Sequence, residues 1–224
     1  MELLGTNNNV KTIKSDNLGT YLTAILYLSP HKISGKNLCP HATAGCAAAC
    51  LYTAGMGKFS NVHQARLKKT QLFLTDKNKF VELLKKDISN FIKNCNKKHK
   101  IPAIRLNGTS DLPWENIIDM SKYNAQFYDY TKSLVRMMKF CQGKMPSNYH
   151  LTFSKAENNW DKCEAVLANS GNVAAVFKNM PQQYQGYSVY NGDDHDLRFT
   201  DPKGVIVGLK AKGDAKKDTT GFVI

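Results

Sequence analysis

Short runs of apolar and β-branched residues recur along the chain, and a polar cluster closes each one. Tyr21 to Leu28 (YLTAILYL) stops at Ser29-Pro30. Ala103 to Leu106 stops at Asn107-Gly108-Thr109-Ser110-Asp111, and Gln126 to Tyr128 at Asp129-Tyr130-Thr131-Lys132. His150 to Phe153 runs into Ser154-Lys155-Ala156-Glu157, and Val173 to Phe177 into Lys178. Tyr187 to Tyr190 runs into Asn191-Gly192-Asp193-Asp194-His195-Asp196, and Val205 to Leu209 into Lys210-Ala211-Lys212-Gly213-Asp214. Such runs read as strands. Helical periodicity lies between several of them. It is strongest over Lys79 to Cys95, where Phe80, Leu83, Leu84, Ile88, Phe91 and Ile92 form one apolar stripe. Asn61 to Leu74 has a looser stripe behind Ser60, the expected N-cap. Trp114 to Ser121, Lys132 to Phe140 and Asn159 to Ala168 are shorter candidates.

Strands alternating with helices predict βαβ units and a parallel sheet, whose ligands bind at the carboxyl ends of the strands. The polar clusters fall at that end. With 224 residues the chain is short for eight full βα units. The expectation is therefore a single α/β domain over residues 1–224, built as a small or incomplete βα (TIM-like) barrel with parallel strands. An open doubly wound sheet is the second choice.

Charge changes the picture of partners. The formal net charge is +13, which points to an anionic partner, either nucleic acid or a small molecule bearing phosphate or carboxylate. No apolar stretch reaches eighteen residues, and Met1 to Asn9 has no basic-then-apolar signal pattern. A cytoplasmic protein without membrane contact is expected. In that setting clustered cysteines are metal ligands more often than disulfides. Of the six cysteines, Cys95, Cys141 and Cys163 stand alone and read as packed small hydrophobes.

The other three share one loop after the first strand, Cys39-Pro-His-Ala-Thr-Ala-Gly-Cys46-Ala-Ala-Ala-Cys50, with C-x6-C-x3-C spacing. Thiolates suit soft metals and iron–sulfur clusters. Structural zinc usually takes close ligand pairs and four ligands in all. Here Cys46 and Cys50 make one pair, Cys39 with His41 or His63 would have to complete it, and no second pair exists. The wider Cys39–Cys46 gap suits wrapping around an iron–sulfur cube. Gly45 and the alanines let backbone N–H groups approach the sulfides. A [4Fe–4S] cluster on Cys39, Cys46 and Cys50 is the leading reading, with zinc or free thiols as alternatives. Its fourth ligand is open between Cys141, Cys163, water and a small molecule.

Other candidates follow their strands. Asn107, Gly108 and Ser110 suit contact with a ligand, Gly108 by permitting close backbone approach. Asp111 reads either as a ligand contact or as a helix cap beside Pro113. Asp129, Tyr130 and Lys132 offer an acid, a phenol and a cation, and Lys155 with Glu157 a further pair. His195 among Asp193, Asp194 and Asp196 suits a general base, a metal ligand or a plain turn. The candidate catalytic set is Asn107, Ser110, Asp111, Asp129, Lys132 and His195. Lys210 to Asp214 offers a weak anion-binding loop.

Taken together, Cys39 to Leu51, Arg105 to Glu115 (RLNGTSDLPWE), Phe127 to Lys132 (FYDYTK), Tyr149 to Ser154 (YHLTFS), His195 to Phe199 (HDLRF) and Gly208 to Gly213 (GLKAKG) resemble a phage- and plasmid-borne family known as gene product 88. The cysteine loop departs from that family's pattern by one extra position between Cys39 and Cys46. The resemblance implies a viral protein in the host cytoplasm and no particular reaction. A looser similarity is to radical S-adenosylmethionine enzymes, which carry a three-cysteine loop after the first strand of a partial βα barrel. That similarity implies a [4Fe–4S] cluster whose fourth iron is chelated by S-adenosylmethionine, with the Asn107 to Asp111 loop beside the cofactor. The spacing differs, since those enzymes usually show C-x3-C-x2-C. The expected function is a phage-type iron–sulfur protein, and its finer form a radical-S-adenosylmethionine-like redox enzyme acting on an unidentified small molecule. The alternatives are a non-enzymatic iron–sulfur module that binds nucleic acid and a zinc-stabilised α/β protein.

Overall fold

The computed structural model describes residues 1–6 and 10–224. Residues 7–9, part of the N-terminal segment read as lacking a signal pattern, lie outside the described residues. The strands are β1 (Leu4–Thr6), β2 (Tyr21–Leu26), β3 (Ile101–Arg105), β4 (Gln126–Thr131), β5 (Tyr149–Ser154), β6 (Val173–Phe177), β7 (Gln183–Tyr184), β8 (Tyr187–Asn191) and β9 (Ile206–Lys210). The helices are α1 (Val10–Asn17), α2 (Ala44–Ala48), α3 (Ser60–Thr75), α4 (Lys77–Lys97), α5 (Leu134–Cys141) and α6 (Trp160–Ala168). No helix among the described residues is long and apolar enough to cross a membrane.

The strands form one nine-stranded sheet in the order β1-β2-β3-β4-β5-β6-β9-β8-β7. Pairing from β2 through β6 to β9 and β8 is parallel, while β1 and β7 run antiparallel to their neighbours. The sheet does not close into a barrel. Its rims are strands of only three and two residues that do not pair with each other. The second choice is met in part, since the sheet is open, but it lacks the doubly wound strand order. Strands β2 to β6 follow one another without the reversal that would send successive crossovers to opposite faces.

Registers Leu4↔Leu26, Ala24↔Ile104, Phe127↔Tyr149 and Phe153↔Val173 align one apolar face across the sheet. That face forms the main core with Phe80, Leu84, Ile88 and Phe91 of α4, Met137 of α5 and Val166 of α6. The α4 stripe is the one read from the sequence, and Asp76 caps the helix by accepting the Lys79 N–H at 3.0 Å. Helix α3 begins at Ser60 itself, with Phe59 in the cap position, so Ser60 is not the cap. Trp114 to Ser121 forms two short 3-10 turns, Trp114–Asn116 and Met120–Lys122, in place of the expected helix. Trp114 is fully buried there, and its Nε1 donates to Asn107 Oδ1 at 3.1 Å.

The opposite face is polar at its centre. Arg105 of β3 pairs with Asp196 at 3.2 Å and lies 4.5 Å from the Tyr130 ring centroid. Asp196 also accepts the Tyr128 hydroxyl at 3.1 Å. Its backbone N–H donates to Ser15 of α1 at 2.9 Å. Lys11 of α1 pairs with Asp193 at 2.9 Å, so α1 and the segment after β8 cover this face together.

Candidate metal centre

The chain leaves β2 at Leu26 and returns to the sheet only at β3, so its cysteine loop sits at the carboxyl end of the sheet. Cys39, Cys46 and Cys50 all line one cavity of about 200 Å³, with Pro30, His31, Ile33 and Tyr52 among its other walls. One of the sulfurs already accepts a backbone hydrogen bond: the His31 N–H donates to Cys39 Sγ at 3.3 Å. Burial pushes the Cys39 thiol up to about 11, against the His31 bond, and the neighbouring Cys50 and Cys46 push the same way. Burial raises Cys50 as well, while Tyr52, Arg66 and Lys132 pull it down.

Local structure explains how this loop is held. The alanine-rich segment forms α2, whose N-cap Thr43 accepts the Cys46 N–H at 3.2 Å. Thr43 Oγ1 donates to Glu157 Oε2 at 2.6 Å, and the Gly45 N–H donates to Glu157 Oε1 at 2.8 Å. Glu157, read as one of a polar pair after β5, thus seats the helix that carries Cys46. A Cβ on Gly45 would collide with Thr220 Oγ1 and stand 2.8 Å from Glu157 Oε2.

The Asn107 to Asp111 loop lies against the cysteine loop. The Asp111 N–H donates to Leu38 O at 2.9 Å, and Cys39 Sγ is 3.6 Å from Thr109 O. Its side chains, however, are used internally. Asn107 Nδ2 donates to Leu112 O and Asp129 Oδ2, and its Oδ1 accepts from Ser110 Oγ, the Leu112 N–H and Trp114. Both Asn107 donors and the Ser110 hydroxyl proton are therefore spent on the loop. Gly108 packs on β2, where a Cβ would stand 2.6 Å from Tyr27 Cδ1. Asp111 does not cap a helix. It accepts from Thr131 Oγ1, the Lys132 N–H and Arg136 Nη1 at 2.8–2.9 Å. Asp129 is fully buried and accepts from the Asn107 N–H, its Nδ2 and the Tyr149 hydroxyl. Burial pushes its carboxyl up to about 7 against those bonds.

Lys132 is different. It lies 5.6 Å from the Phe222 ring centroid and acts electrostatically on Cys50. His195 belongs to the polar network of the opposite face, where its Nδ1 lies 3.2 Å from the Leu197 N–H and 3.3 Å from Arg198 Nη2. Burial and then Arg198 lower its pKa. His41, His63, Cys141 and Cys163 do not line the cysteine cavity. His63 stacks on Tyr52 at 3.8 Å, and Cys163 is fully buried in the core. The loose apolar period of α3 conceals a buried cation. Its buried face is Arg66, Thr70 and Phe73, so an arginine stands where a strict hydrophobic stripe would place a leucine.

A sequence model of the gene product 88 family matches residues 2–224. The chain belongs to the gene product 88 family. Membership spans every element of the sheet and the whole cysteine loop. No curated protein and no solved structure matches the chain.

Proposed function

We propose that this gene product 88 protein is an iron–sulfur protein that binds a [4Fe–4S] cluster through Cys39, Cys46 and Cys50. The supporting observation is that the three sulfurs of one loop line one cavity at the carboxyl end of a mostly parallel sheet. The donor set fits the group, being three soft thiols, one of which already accepts a backbone N–H bond at 3.3 Å. A cluster is favoured over a single zinc ion. No three His, Cys, Asp or Glu side chains among the described residues already form a metal-ligand group, and the preference rests on the loop's spacing, with one close pair at Cys46 and Cys50 and no second pair. One zinc needs every sulfur about 2.3 Å from a common centre, whereas a cube binds each thiolate at a different iron.

With three cysteines, one iron is left for a small-molecule ligand. When bound, the cluster would supply one electron to that ligand. The chain's own residues would hold and screen the centre: His31 by its N–H bond to Cys39, Thr43 and Glu157 by fixing Cys46, and Lys132 by its charge. Sequential parallel strands with helices α4 to α6 packed on one face suit an incomplete βα barrel. S-adenosylmethionine is the first ligand to test, as a redox enzyme of that type would require it. Visible absorption of protein prepared without oxygen tests the cluster. A broad shoulder in the blue that disappears in Cys46→Ala supports it, and a colourless protein carrying zinc refutes it.

One observation favours a second property, contact with nucleic acid. Helix α4 exposes Lys79, Lys86, Lys93 and Lys97, and the first three repeat every seven residues along one side of a helix roughly 31 Å long. Retention of labelled duplex DNA that falls steeply between 50 and 200 mM salt is the expected result.

A further inference from the structure

Arg66 is a buried cation, and among the described residues no acid pairs with it. It is 8% exposed, and its Nε and Nη1 are buried without a hydrogen-bond partner. The groups that act on its charge are Tyr27, Cys50 and Tyr52, and no carboxylate is among them. Its guanidinium carbon lies 4.8 Å from the Tyr27 ring centroid and 5.6 Å from that of Tyr52. Tyr52 is itself a wall of the cysteine cavity. The position is anchored: Arg66 O accepts the Thr70 hydroxyl at 2.9 Å, and Thr70 Oγ1 accepts the Ser29 N–H at 2.8 Å. The sequence thus holds a guanidinium over the Tyr27 and Tyr52 rings, near enough to act electrostatically on Cys50, with unmet hydrogen-bonding capacity.

A buried guanidinium without an anion is costly, and facing aromatic rings offset only part of that cost. The arrangement becomes favourable once an anion arrives nearby. We propose that Arg66 is the resident counter-charge of the three-cysteine centre and raises its reduction potential; this rests on the cluster reading above. Three thiolates around a [4Fe–4S] core leave a net negative centre, and reduction adds one more negative charge. A fixed cation in a poorly solvated setting favours the reduced form. Lys132 also acts on Cys50, but it is only partly buried and its charge is better screened by water.

The test is an anaerobic dithionite titration of the loaded full chain, followed by absorption and electron paramagnetic resonance. Dithionite supplies the single electron, and no bond forms or breaks. Arg66→Gln and Arg66→Met are compared with wild type and with Lys132→Gln. Met fills the space between the two rings without leaving a polar group unpaired, so it guards against a variant that does not fold. Both Arg66 variants are expected to load iron and to shift the reduction equilibrium at least tenfold toward the oxidised form, a lowering of 59 mV or more for one electron. Lys132→Gln is expected to shift it less. In the metal-free protein Arg66→Met is expected to be as stable as wild type or more so, since it removes an uncompensated charge. The proposal is overturned if Arg66→Met loads iron at the wild-type potential, or if it destabilises the metal-free protein while leaving the potential unchanged. A wild-type protein that takes up no iron and sulfide would instead remove the cluster reading itself, and this proposal with it.

Discussion

Replacing Glu157 by Ala removes the carboxylate that seats α2. Two hydrogen bonds are lost, from Thr43 Oγ1 at 2.6 Å and from the Gly45 N–H at 2.8 Å. A hydrogen bond to a charged acceptor contributes about 1.5–3 kcal/mol. The site is only partly buried, so water can replace part of each bond and the lower end of that range applies. The expected loss is therefore about 3 kcal/mol in total. With a urea slope of about 2–3 kcal/mol/M for a chain of this size, the midpoint should fall by about 1 M. Glu157→Gln keeps one acceptor and should lose roughly half as much. The effect should depend on acid in a defined direction. Burial works to raise the Glu157 pKa, but the bonds from Thr43 and the backbone N–H groups hold it below its usual value. Its contribution is thus present above the ordinary carboxylate range and lost as pH falls through the lowered value. Equilibrium urea unfolding at neutral and acid pH measures both effects, and iron retained after gel filtration reports on Cys46. An Ala variant with an unchanged midpoint and full iron retention would refute the view that Glu157 seats the cysteine loop.

Further outcomes follow from the same geometry. His150 is pulled down to about 4, first by burial and then by Arg198 and Lys203. Its neutral form is therefore favoured by folding, and stability should fall as pH drops from the usual histidine value toward 4; His150→Gln should flatten that limb in pH-dependent thermal unfolding. Gly108→Ala places a Cβ 2.8 Å from both Ile25 Cγ2 and Leu26 O, and calorimetry should show a loss of about 1–3 kcal/mol. Asp193, held well below the usual range by Lys11 and by hydrogen bonds from Lys210 and Lys212 despite burial, ties α1 to the segment after β8. Asp193→Asn should reduce stability at neutral pH and lose that effect on acidification, as read by circular dichroism. Changing Lys79, Lys86 and Lys93 together to Gln should weaken DNA retention and flatten its salt dependence, with the fold unaltered.

Much of the parallel sheet was legible because buried central strands are short apolar runs with polar stops. Helix α4 was legible because its stripe is long and regular. The rims were not. Leu4–Thr6 and Gln183–Tyr184 are too short to carry a pattern, and they are what end the sheet instead of closing it. The Trp114 segment looked helical because Trp114, Ile117, Ile118 and Met120 cluster, yet Asn107 fixes its first turn from outside. The cysteine loop stood out through spacing alone. Its supports did not. Glu157 lies more than a hundred residues from Thr43, and Arg66 sits in a helix whose apolar period is too loose to mark its buried face. Asn107, Ser110 and Asp111 read as ligand contacts because polar residues after a strand suit either use. Only the partners of each atom reveal that they brace the loop beside Cys39.

Iron and acid-labile sulfide, counted per chain in protein purified without oxygen, test the central claim most directly. The account predicts about four of each, both lost when Cys39, Cys46 or Cys50 is changed to Ala and both retained in Cys141→Ala and Cys163→Ala. Zinc at one per chain without sulfide, or iron that survives removal of Cys46, would contradict it.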